Sequence, residues 1–190
     1  MFNNIFSFSD TKKMAHRLYI VLVKQARQPA FYETCGVADT LAGRFDMIAI
    51  HAILVLRRLQ REGDATKELA QALFDYMFDD FDLNLRETGV GDTGIGKRIK
   101  KMGTGFYGRM AVYNEGLDSD DAQILRDALD RNLYRGTNST AHNLKLIADY
   151  MKRESTYLEG VDIDSVTQGN FEFGPPPAGK SKPDDGSAQR

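Results

Sequence analysis

The sequence is poor in the residues that build covalent or metal-held scaffolds: it has one cysteine, three histidines and no tryptophan in 190 residues. A lone Cys35 cannot close an intrachain disulfide, which points to a reducing compartment on the cytoplasmic side of a membrane. With no histidine or second cysteine beside it, Cys35 reads as a small, half-buried residue rather than a reactive thiol. His16, His51 and His142 are scattered, and no two stand four apart as helix-borne zinc ligands do. No metal and no cofactor are therefore expected.

Long apolar runs are also missing. The longest, Met47 to Leu56, spans ten residues and contains His51, whereas a bilayer crossing needs about 20. Leu18 to Val23 is shorter and is cut by Lys24, with no cleavage pattern after it, so no secretory signal stands out. The net charge of -2 carries none of the basic excess that advertises DNA binding. Any electrostatic contact must come from a local cluster. The expected location is cytoplasmic or peripheral at an inner membrane, on the matrix side in a eukaryote.

What the chain does have is helical periodicity, and its length suffices for one domain with a sizeable core. Ser9 or Asp10 can cap a helix to about Arg27, which Pro29 stops, and Phe31 to Ala38 reads as a loop. Asp39 is placed to cap a second helix to about Glu62. Its stripe of Leu41, Phe45, Ile48, Ala52, Val55 and Leu59 is joined by further apolar residues on the other faces, so it belongs mid-bundle. Asp64 begins a third helix to about Glu87, and another runs from a corner at Asp92 to about Gly116. Asp118 starts a helix stopped by Gly136, and the last, with Leu144, Ile147 and Met151 inward, ends near Tyr157. No strand or internal repeat is evident. The expected fold is all-α: a lead-in over 1–9, a single globular bundle of about six helices over 10–160, and an extended, largely disordered C-terminal tail over 161–190. Within that tail, Phe171 and Phe173 are the residues able to dock back.

The stretch from Leu73 to Tyr113 carries the most unusual texture. Phe74, Phe78, Phe81 and Leu85 form an apolar stripe, flanked by Asp75, Asp79, Asp82 and Arg86. The acids, without a supporting histidine, suggest structural pairing with Arg44, His51 and Arg58 of the central helix, or with Lys97 and Arg98, rather than acid-base chemistry. A glycine-built corner follows at Gly89, Gly91, Asp92, Gly94 and Gly96. Beyond it Ile95, Ile99, Met102, Phe106, Met110 and Tyr113 share one helix side. Lys97, Arg98, Lys100, Lys101 and Arg109 face elsewhere with no acid among them, in the company of Gly105, Phe106, Tyr107 and Gly108. Each interior glycine costs a helix about 1 kcal/mol relative to alanine, for which close approach of another backbone is the usual reason. This basic, glycine-spotted segment is the expected partner-binding surface, open also to a ribosome or an anionic membrane surface.

One competing motif lies inside it. Gly91 to Arg98, GDTGIGKR, meets seven positions of the phosphate-binding G-x-x-x-x-G-K-[S/T] loop but has Arg98 where a magnesium-holding hydroxyl is needed. A nucleotide- or phosphate-binding enzyme using Gly91 to Lys97 is the alternative it supports. Haem binding through His51 is a further one.

The run FDLNLRETGVGDTGIGKRIKKMGTGFYGRMAVY, with GVADTLAGRFDMIAIHAILVLRRL upstream, closely resembles the ubiquinol-cytochrome c chaperone family. The GVGD corner, the GKR-x-K-K-M run and the FYGR element share its order and spacing. The resemblance covers most of residues 17 to 158. It implies a non-catalytic helical chaperone whose partner is cytochrome b, or another membrane subunit of the respiratory complex that oxidises ubiquinol. The small departures, such as Thr88 and Thr93 where bulkier apolar residues often sit, bear on how the corner packs.

Overall fold

Proline, glycine and short polar residues divide the chain into helices, and a stretch that is apolar on every side decides which helix lies in the middle. The computed structural model describes residues 8–87, 92–136 and 139–178. Among them all regular structure is helical. The α-helices are α1 (Phe8–Ala26), α2 (Ala30–Glu33), α3 (Leu41–Gln60), α4 (Lys67–Glu87), α5 (Asp92–Asp118), α6 (Ala122–Leu129), α7 (Ala141–Gly160) and α8 (Ile163–Gln168). A 3-10 turn at Gly63–Thr66 leads into α4, and a π turn at Asp130–Tyr134 follows α6.

Helix α3 is the axis of the bundle. From Met47 to Leu56 only Ile48 is less than fully buried, and α1, α4, α5 and α7 pack around it. Burying a leucine, isoleucine or phenylalanine contributes about 1.5–3 kcal/mol, so this helix supplies a large share of the driving force. Its first residue is an exception, because Leu41 stays exposed. Thr40, not Asp39, caps α3, its hydroxyl accepting from the Gly43 amide at 3.1 Å. Gly43 has no alternative there, since a Cβ would stand 1.9 Å from the Ala38 carbonyl oxygen.

Other boundaries shift for similar local reasons. Asp64 lies in the 3-10 turn, and α4 starts three residues later. Helix α5 runs on to Asp118, so Asp121 caps α6 instead, accepting from the Gln123 amide at 2.8 Å. Arg135 and Gly136 both adopt positive φ, 56° and 67°, which ends the π turn at the expected glycine. Part of the expected loop after Pro29 winds into α2.

The largest departure is at the C-terminus. Asp162 caps α8 through the Ser165 amide at 3.0 Å, and Gly169, at φ 71°, turns the chain back across α1 and α7. The segment to 178 then lies extended, with Phe171 and Phe173 buried. Residues 163–178 thus pack against the domain, with Phe171 and Phe173 docked back as the sequence allows. The expected disorder of 179–190 and the lead-in of 1–7 lie outside the described residues.

Candidate functional site

Helix α5 is held to the body by one side. Phe106 and Tyr113 are buried, and Ile99, Met102 and Met110 are half-buried against the core. The opposite side is a solvent face. Lys97, Lys100, Lys101, Thr104, Gly105, Gly108 and Ala111 are all exposed, and at three- and four-residue spacing they fall on one side of the helix. A Cβ built at Gly96, Gly105 or Gly108 would meet nothing within 4 Å. Among the described residues no close backbone explains these glycines. Gly116 shows the contrast, because its Cβ would stand 2.7 Å from the Leu125 Cα of α6. The side chain of Arg98 is outside the described part of the structure.

Beside this face Tyr107 stays half exposed, its ring stacked on Phe74 of α4 at 5.0 Å between centroids. The pair forms one wall of a hollow of about 340 Å³ between α3, the 3-10 turn, α4 and α5. Leu56, Ala70 and Met110 supply its apolar floor, and Gln60, Asp64 and Lys67 its polar rim. Phe106 is turned the other way, edge-on to Phe74 at 5.4 Å, and is fully buried. It belongs to the core and not to the expected contact surface.

Arg109 also leaves that surface. Its guanidinium reaches inward to Asp46 of α3, 2.5 Å away, and Arg135 approaches the other carboxylate oxygen at 2.6 Å. Burial pushes the Asp46 carboxyl above the ordinary carboxylate range, and the charges of Arg109 and Arg135 oppose that shift. Sequence reasoning missed Asp46. The available signal was an acid inside a helix otherwise apolar on almost all faces.

The expected pairing between the acids of α4 and the basic edge of α3 takes a different form. Arg44 pairs with Asp39 at 2.6 Å and Arg58 with Glu62 at 2.5 Å. Arg58 further donates to the Leu158 carbonyl at 3.0 Å, tying α3 to α7. On α4, Asp82 pairs with Arg86 at 2.8 Å, Asp75 accepts from Gln71 at 2.7 Å, and Asp75 and Asp79 face solvent. Partners within five residues in sequence thus take the place of pairing across the bundle.

His51 is fully buried and makes no ion pair among those found. Its Nδ1 lies 2.7 Å from the Met47 carbonyl oxygen, which only accepts, so the proton sits on Nδ1. Its Nε2 must then accept from the Tyr150 hydroxyl, 2.8 Å away. Burial depresses the imidazole to about 4 and keeps it neutral. With both nitrogens engaged, His51 offers no free lone pair to haem iron. Among the described residues no cluster of His, Cys, Asp and Glu has the makings of a metal site.

The glycine corner is only partly seen. Gly89 and Gly91 lie outside the described residues, while Asp92, Gly94 and Gly96 are already in the first turns of α5. A phosphate loop needs an open backbone cradle after a strand. Here residues 92–97 are helical and the preceding element is α4, so the phosphate-loop alternative loses its structural context.

Together these features define an all-α domain with an apolar core, a few internally paired polar groups and an open, lysine-bearing helix face. The chain belongs to the ubiquinol-cytochrome C chaperone family, whose model matches residues 33–173. It is 28% identical over 155 residues to ubiquinol-cytochrome-c reductase complex assembly factor 1 of Xenopus laevis, covering 82% of this chain and 77% of that protein. The human protein of that name is 26% identical over 155 residues, and there the chain spans about half of the relative's length, 52%. Among solved structures, the crystal structure of the Cbp3 homolog from Brucella abortus superposes with a TM-score of 0.78. It shares 35% identity, over 88% of this chain and 92% of that one.

Proposed function

We infer that this protein is an assembly chaperone of the ubiquinol-cytochrome c reductase complex that holds newly made or unassembled cytochrome b, without catalysing a reaction. Family membership supports the general role. The observation that carries the choice of surface is the bare face of α5, where Gly105 and Gly108 stand in open space beside Lys97, Lys100 and Lys101. Two glycines together cost this helix about 2 kcal/mol relative to alanine, and no contact among the described residues offsets that.

A partner helix offsets it. With no Cβ on the ridge, helix axes can approach to the short end of their usual separation, about 8 Å, and gain dispersion contacts along their length. The hollow at Tyr107 and Met110 then takes a protruding apolar side chain from the same partner. The lysines add attraction to acidic segments, or to the anionic surface of the membrane where such a subunit is made. This mode needs no turnover: the client is held by burial of its apolar surface for as long as that surface is unpaired elsewhere. No described helix is long and apolar enough to cross a membrane; in this reading the protein meets its client from the membrane surface.

Crosslinking in membranes, followed by recovery of this protein and identification of what accompanies it, tests the reading. Cytochrome b is expected as the dominant adduct. Recovery of only soluble matrix or cytoplasmic proteins contradicts it.

A further inference from the structure

Away from α5, a groove between two helices is occupied by the chain's own C-terminal segment. After Gly169 the residues Asn170 to Pro177 cross a groove between α1 and α7. The groove reads the segment chiefly through its backbone. Gln25 Nε2 of α1 donates to the Gly174 carbonyl oxygen at 2.8 Å. Glu154 of α7 accepts from the Gly174 amide at 2.8 Å, and Arg153 donates to the Pro175 carbonyl at 2.5 Å. Glu154 is 1% exposed, and its other partner is the adjacent Arg153 at 2.7 Å. A buried carboxylate on a helix is costly unless a fixed donor meets it, and the donor from across the groove is a main-chain N–H.

Side chains are read at two points. Phe173 stands edge-on to the His51 ring at 4.9 Å, and Phe171 packs edge-on to Phe173 at 5.4 Å. Position 174 favours glycine, because a Cβ there would lie 2.7 Å from Glu154 Oε1 and push that carboxylate aside. The seated segment thus presents aromatic-x-aromatic-glycine to the groove. The segment does not fill it: a hollow of about 690 Å³ remains on the α1 side, by Val21, Lys24 and Gln28. Its ion pair, Lys24 with Glu172, is solvent-exposed on both sides and so contributes little.

We propose that this groove is a binding site for an extended polypeptide segment of the partner, with residues 170–177 acting as a resident strap that leaves by local opening. The proposal rests on the reading that the protein holds another polypeptide. It adds what that polypeptide presents: two aromatic residues two apart, followed by glycine. Main-chain recognition with alternate side-chain pockets is how extended peptides are commonly bound. A tethered strap competes at millimolar effective concentration, so the partner segment gains access chiefly when it is itself held nearby on α5.

Two measurements on the purified full chain test this without any client. Native-state hydrogen exchange should show the Gly174 amide opening at least tenfold more readily than amides of α3 such as Ile53. Exchange of Gly174 only at the rate of α3 overturns the proposal. In parallel, a fluorescent peptide spanning Asn170 to Pro177 is titrated into wild type and into Phe171→Ser/Phe173→Ser. Saturable binding to the variant, at least tenfold tighter than to wild type, is expected. A folded variant that binds no peptide overturns the proposal, and should the variant not fold, the exchange measurement on wild type decides alone. Neither readout depends on α5, so failure here leaves the α5 surface standing, and the reverse also holds.

Discussion

At the scale of single residues, the polar groups buried along α3 tie it to its neighbours and give the fold its pH dependence. Arg44, His51 and Arg58 do share an edge of α3, as their spacing of seven requires, but spacing does not say what faces that edge. The answer depended on Tyr150 and Leu158, about a hundred positions away. The buried histidine makes a pH prediction. A folded value of about 4, below the ordinary 6.5, means the native state binds fewer protons there. That stabilisation is complete above about pH 6.5 and is lost as pH falls towards 4, with about 2 kcal/mol gone by pH 5. Denaturant titrations should show this slope in wild type and its absence in His51→Gln. Asp46 makes a second prediction. Replacing it with asparagine leaves the largely buried Arg109 guanidinium without its carboxylate. Asp46→Asn should cost about 3 kcal/mol, and Arg135→Ala much less, because that arginine is half exposed.

At the scale of elements, the helices themselves were legible, because apolar spacing of three and four persists through α1, α3, α4, α5 and α7 and each has a cap or stop nearby. Boundaries moved where a neighbouring hydroxyl or carboxylate had the better geometry, as Thr40 did over Asp39. Of the strap over 170–177 only the docking of Phe171 and Phe173 was legible. Its composition is that of a disordered tail, and its order comes from a groove formed by helices more than a hundred residues apart in part. Helix α5 makes a prediction that separates folding from binding. Gly105→Ala and Gly108→Ala should each stabilise the fold by about 0.5–1 kcal/mol, since nothing lies within 4 Å. Gly116→Ala should destabilise it, because the new methyl meets the Leu125 backbone. Thermal melts of the three variants test both signs. For partner binding the order is different: bulk at Gly105 or Gly108 should weaken retention of the client while leaving the fold intact.

At the scale of the whole molecule, the sequence motifs GVGD, GKR-x-K-K-M and FYGR pointed to the family that the match over residues 33–173 shows. They did not reveal that the FYGR element is split. Phe106 and Arg109 turn inward to Phe74 and Asp46, while Tyr107 and Gly108 face out. A family motif on a helix therefore mixes folding and contact roles, and only the bundle's geometry separates them. The division leads to a salt prediction: client retention through Lys97, Lys100 and Lys101 should weaken as ionic strength rises, whereas thermal stability should change little. Co-purification across a salt series reads both. The most direct test of the central claim is site-resolved photo-crosslinking in membranes, with the probe placed at Gly108 on α5 or at the exposed Lys145 on α7. An adduct with cytochrome b from position 108, and none from 145, is the predicted result. An adduct from 145 with none from 108 would contradict the account.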